Sequence, residues 1–308
     1  MTFLANKPIA VRIALIALVP LLAAALLAYG RITDGFSAVS VSENAEHSVA
    51  VAKDIGNLVH ELQKERGMSA GYVASAGAKF AEALPEQQQT TDRLFQSLQE
   101  ETAGNPELAA ALHTFDDIAL MRERTASQEA SVGEVARFYT SGIGLLIDSM
   151  NTSGDAGSDP EIGRMFAAYT AISRAKEKAG LERAMGASGF GAGQFAPDIY
   201  DRFIGLRAEQ EVYLADFSAN ADQAAKGALA RVLASEDAQA VFTMREAARQ
   251  GLASAQGVDA ELWWARTSGR IDALKTVEDA VGEELALAAA AKRSAANGAL
   301  LGNPLLLR

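Results

Sequence analysis

The sequence predicts an all-α protein, and three observations carry that prediction. Alanine and leucine are abundant while aromatic residues make up only 6% of the 308 residues, a composition that favours helices over β-sandwiches. No sustained period-2 alternation occurs anywhere in the chain. Helix start signals recur along its length, with short loops implied between sequential helices, which favours antiparallel up-and-down packing. The expected architecture is an N-terminal transmembrane helix followed by two packed antiparallel four-helix bundles.

The elements follow in order. Ile13 to Tyr29 carries no charge, with Lys7 and Arg12 ahead of it and Arg31 behind. Seventeen uncharged residues sit at the short end of the roughly 17–25 needed to cross a bilayer. Arg12 can snorkel and extend the span, and Pro20 is tolerated in such a helix. We therefore expect residues 1–7 as a cytoplasmic tail and 8–30 as an uncleaved anchor, by the positive-inside rule. Residues 31–292 are expected to form a helical domain on the far side of that membrane.

Phe36 to Ala76 reads as one long helix, and a second runs from about Glu86 to Thr102. Asn105-Pro106 is a start signal, with Asn as cap and Pro at the first helical position. Ser131-Val132-Gly133-Glu134 fits a capping box for a helix that fades near Met150. Asn151 to Pro160 is the clearest linker and divides the bundles into about 36–150 and 161–290. Asp159-Pro160, Pro197, Ser235 and Asp259 open the helices of the second half. Residues 293–308 are apolar again after Lys292-Arg293, and are expected to start a truncated second membrane segment.

Composition also bounds function. A net charge of −11 argues against a nucleic-acid partner. The absence of cysteine excludes disulfides and thiol catalysis. The three histidines, His47, His60 and His113, form no metal pair at helical spacing. No cofactor is expected, and no nucleophile–base arrangement points to an enzyme.

The informative residues are arginines on apolar stripes. With Leu62 at zero on a helical wheel, Ile55, Leu58 and Ser69 fall within roughly 40°, and Arg66 falls there too. Around Ile172, Arg183 lies within about 20° and Lys176 at about 40°, where a lysine is expected to snorkel. Glu65-Arg66-Gly67-Met68-Ser69-Ala70 and Glu182-Arg183-Ala184-Met185-Gly186-Ala187 share one pattern. Two such arginines from opposing bundles suit a small planar anion, because the guanidinium fork matches an oxyanion and is always charged. The competing reading pairs each arginine internally, with Glu65 or Glu182. Arg270 lies near the Leu274 stripe and either covers the same pocket or is a salt-bridged flank, and Arg122 is open in the same way. Trp263-Trp264 reads as packing.

These motifs, with Trp264, Ile271 to Leu274 and the Tyr139-Thr140 helix, resemble the nitrate- and nitrite-sensing (NIT) domain of bacteria, over roughly 45–284. The resemblance implies two packed four-helix bundles holding nitrate or nitrite between them. It implies Arg66, Arg183 and, more loosely, Arg270 as ligand-binding residues. It further implies a periplasmic receptor domain, chemotaxis-like, homodimeric and signalling across the membrane through an output domain that this chain lacks. The alternative is a helical interaction module whose arginines are structural.

Overall fold

The computed structural model describes residues 8–100, 105–150, 159–255 and 257–302. The described residues form helices, joined by turns, with no strand among them. In order they are α1 (Ile9–Ala74), α2 (Ala83–Glu100), α3 (Pro106–His113), α4 (Ile118–Ala126) and α5 (Val132–Met150). After residues 151–158, where the expected linker lies outside the described residues, come α6 (Pro160–Ala192), α7 (Pro197–Asn220), α8 (Gln223–Leu233), α9 (Glu236–Ala248) and α10 (Ala260–Leu301).

The start signals work as their chemistry requires. Asn105 accepts from the Leu108 N–H, Asp159 from those of Glu161 and Ile162, Ser235 from that of Ala238, and Asp259 from those of Glu261 and Leu262. Each satisfies donors that a first turn leaves orphaned. The capping box at Ser131 forms in both directions: the Ser131 N–H donates to Glu134 at 2.9 Å, and the Glu134 N–H donates to the Ser131 hydroxyl at 3.3 Å.

Two boundaries differ from expectation. The helix expected from Phe36 and the apolar stretch before it are one element, because α1 runs unbroken through Pro20 for 66 residues. Likewise α10 does not stop at Lys292-Arg293. Those two side chains are tied down, Lys292 to Asp159 and Glu161 at 2.9 Å and Arg293 to Glu46 at 2.9 Å. The helix continues to Leu301, and a methyl group added at Gly35 of α1 would meet Leu300 at 2.9 Å. So α1 and α10 run antiparallel and side by side well beyond the bundles.

Helices α1 to α5 pack around one stretch of core, and α6 to α10 around another. The two are not insulated. Leu58, Leu62, Ile143 and Leu146 share a single apolar cluster with Ile172, Leu274 and Val281. A separate aromatic cluster of Phe190, Phe195, Phe203 and Trp263 closes one end of the second bundle, with ring centroids 5.1–6.0 Å apart.

One buried polar group was misread from the wheel. Lys176 does not snorkel: it is fully buried and pairs with the equally buried Glu278 of α10, which also accepts from the Ser173 hydroxyl. Burial lowers the Lys176 pKa, opposed by Glu278. His60 of α1 stands next to this charge. Burial first, then Lys176, pushes its pKa from 6.5 to about 4, with Glu61 opposing and Lys275 and Lys64 adding to the fall. A histidine depressed on folding is neutral in the native state but charges in the unfolded chain below its ordinary pKa. Stability is therefore expected to fall as pH drops from 6.5 towards 4, by about 2–3 kcal/mol from this group. Urea unfolding at the two ends of that window checks this, and His60→Asn should remove most of the difference.

Candidate functional site

The site is built where α1 meets α6. Arg66 is 7% exposed and its guanidinium is met by a carboxylate of the other bundle. Arg66 Nη1 donates to Glu177 Oε1 at 2.6 Å and Nη2 donates to Glu177 Oε2 at 3.0 Å. Nη1 also donates to the Thr140 hydroxyl of α5 at 2.8 Å, and Gln63 Nε2 donates to Glu177 Oε2 at 2.8 Å. A bidentate fork of this kind is the strongest geometry a guanidinium makes.

Arg183 comes to the same place from α6. Its Nη1 donates to the Ser268 hydroxyl of α10 at 2.7 Å, and its guanidinium carbon lies 4.2 Å from the Trp264 ring centroid. Its Nε is buried and makes no hydrogen bond within the structure. Among the described residues no carboxylate forms a salt bridge with it. Burial and the positive charge of Arg66 lower its pKa to about 10, while Asp272 and Glu177 pull the other way. The two guanidinium groups are held close by glycine. A methyl group at Gly67 would lie 3.4 Å from Arg183 Nη2, and one at Gly180 would lie 3.3 Å from Arg66 Nη2. Two cations thus share a partly desolvated gap with one internal carboxylate.

The expected internal partners are spoken for within each bundle. Glu65 is fully buried and receives Arg122 Nε at 2.8 Å and the Tyr139 hydroxyl at 2.6 Å. Glu182 receives Arg245 Nε at 2.6 Å and Gln210 Nε2 at 2.8 Å. The repeated Glu-Arg motif therefore does two jobs: its glutamate locks an arginine inside its own bundle, and its arginine faces the other bundle. This also resolves Arg122, which is a structural partner of Glu65 and of Asp92.

Arg270 is not brought to Arg66 and Arg183. It faces the interior of the second bundle, where its Nη1 donates to Gln210 Oε1 at 2.8 Å and the charges acting on it are Arg245 and Glu182. Trp263 is core, with its indole N–H donating to the Arg183 carbonyl at 2.9 Å, but Trp264 is the platform under Arg183 rather than packing. Sequence reasoning missed Glu177, Thr140 and Ser268 as site residues. Helical spacing gave no signal for Glu177, which lies six residues before Arg183 and so about 120° away around α6.

The protein is thus an all-α pair of helical bundles that brings two arginines together, Arg66 buried and Arg183 half-buried. The family described as nitrate and nitrite sensing (NIT) matches residues 57–286, and the chain belongs to it. A nitrate regulatory protein of Klebsiella oxytoca is 29% identical over 245 residues, which cover 74% of this chain and 60% of that protein. The chain thus spans well under two thirds of the curated relative it matches. The solved structure of the NasR transcription antiterminator superposes with a TM-score of 0.75 at 22% identity, covering 92% of this chain and 82% of that one, and shows that the fold is shared.

These relatives correct three expectations. A periplasmic receptor domain, an anchorage in the inner membrane and the exclusion of nucleic acid are all overturned, because the similar proteins are a nitrate regulator and a transcription antiterminator. The chemotaxis context goes with them. The physical reasons are plain. One apolar helix near an N-terminus is weak evidence for a membrane, and the net charge of a whole chain does not exclude a local or separate nucleic-acid contact.

Proposed function

We propose that this chain binds nitrate or nitrite in the gap between α1 and α6 and acts as the sensing unit of a regulator, as its family membership and the name of its Klebsiella relative support. It binds its ligand and does not transform it. The sensing unit comprises about residues 31–292, and its ligand-binding residues are Arg66 and Arg183. The observation that carries this reading is the excess positive charge. Arg183 has a buried, unsatisfied Nε and no ion-pair partner among the described residues, and it lies beside a second cation. A small planar oxyanion between the two forks would satisfy both, at about 1.5–3 kcal/mol for each charge-assisted hydrogen bond.

Binding then becomes an exchange. Glu177 of α6 pairs with Arg66 of α1. An incoming oxyanion competes for that fork and relieves the repulsion between the arginines. Arg183 also rests on Ser268 and Trp264, so the exchange is felt by α10. Helices α1 and α10 run side by side, bridged by Lys53–Glu283 and by Arg293–Glu46, which gives the signal a path along the pair. A coupling of about 1–3 kcal/mol is ordinary for such a switch.

Calorimetric titration of the chain with nitrate, nitrite and chloride at constant ionic strength tests this. Saturable heat is expected for at least one nitrogen oxyanion and not for chloride. Equal heats for all three, or none for any, would remove the ligand assignment.

A further inference from the structure

The second bundle contains another arginine whose charge is not matched. Arg270 is 4% exposed, and among the described residues it forms no salt bridge. Its one hydrogen bond goes to Gln210 Oε1 at 2.8 Å, an oxygen that also accepts from Arg245 Nη2 at 3.0 Å. Among the described residues the carboxylate acting on it is Glu182, already held by Arg245 and by Gln210 Nε2. One carboxylate therefore serves two guanidinium groups. Burial and the neighbouring Arg245 lower the Arg270 pKa to about 10, the direction expected for an uncompensated cation.

An open-mouthed cavity of about 350 Å³ lies against these residues, lined by Leu233, Ala238, Gln239, Phe242, Arg245 and Arg270. Its volume is many times that of a water molecule, which takes about 30 Å³ in the liquid, and exceeds what one small inorganic ion fills. Most of its wall is apolar, with Phe242 48% exposed at the edge. A cationic fork at depth and an apolar rim are the two halves of a site for an amphiphilic anion.

We propose that this cavity is a second ligand site, for a small organic carboxylate whose carboxylate rests on Arg270 and whose apolar body lies against Phe242, Leu233 and Ala238. It is distinct from the gap at Arg66. The charges acting on Arg183 are Arg66, Asp272 and Glu177, and none of them acts on Arg270.

Benzoate serves as the probe, titrated into the full chain by calorimetry, alone and with nitrate present. Saturable binding is expected in the wild type and in Arg183→Gln. It should weaken by about tenfold or more in Arg270→Gln, the loss of one charge-assisted contact. Should that variant fail to fold, Phe242→Ala decides the matter. Its side chain is half exposed, so the fold tolerates the change, and benzoate binding should weaken several-fold. No saturable benzoate binding to the wild type would overturn the proposal. So would affinity unchanged in both Arg270→Gln and Phe242→Ala, or affinity lost in Arg183→Gln.

Discussion

Replacing Arg183 with glutamine is expected to weaken nitrate binding by at least about 100-fold while leaving the unliganded fold as stable as the wild type or more so. The first effect follows from removing one of the two forks, with two charge-assisted hydrogen bonds worth about 1.5–3 kcal/mol each. The second follows from the sign of the Arg183 shift. Its pKa falls to about 10 on folding, so the charged form that prevails at neutral pH is disfavoured in the native state. Removing the charge relieves that cost and the repulsion from Arg66. The lost hydrogen bond to Ser268 and the contact with Trp264 offset part of the gain, at about 1 kcal/mol each. Urea unfolding without nitrate gives the stability and calorimetry gives the affinity. A structural arginine would behave in the opposite way, losing stability first.

The second large effect lies away from the ligand. Glu278→Gln is expected to destabilise the protein by about 3–5 kcal/mol, because it leaves the fully buried Lys176 ammonium without its carboxylate. The double change Lys176→Met with Glu278→Leu should recover most of that loss, since a buried pair replaced as a unit by apolar side chains is often neutral. Chemical denaturation of both variants checks the two signs. A loss below about 1 kcal/mol for Glu278→Gln would show that water reaches the ammonium.

Local signals were the most legible part of the fold. Asn105-Pro106, Ser131 to Glu134, Asp159-Pro160 and Asp259 each place a helix start, because capping depends on residues within one turn. Ends were less legible. The second helix, expected from about Glu86, begins at Ala83, because Pro85 sits in the first turn of α2, where its missing N–H costs nothing. Nor did Lys292-Arg293 interrupt α10, whose charges are satisfied by Asp159, Glu161 and Glu46 from distant parts of the chain.

The candidate site was half legible for a related reason. Helical periodicity places Arg66 and Arg183 on inward stripes, and the structure brings them together. Periodicity cannot name the partner across the gap. Glu177 lies 111 positions from Arg66, and the glutamates adjacent in sequence turned out to serve Arg122 and Arg245. Arg270 shows the limit most clearly. It lies on an inward stripe like the other two, but its bundle turns it towards Gln210 and away from the shared gap. A stripe tells which side of a helix is buried, and only the packing tells against what.

On the proposed reading an oxyanion occupies the space between Arg66 and Arg183 and displaces Glu177. The most direct measurement is a crystal structure of the chain in saturating nitrate. The expected result is a planar ion within hydrogen-bonding distance of both guanidinium groups, with the Glu177 carboxylate moved off Arg66. A structure in which Glu177 keeps both of its contacts with Arg66, and no ion lies between the arginines, would contradict it.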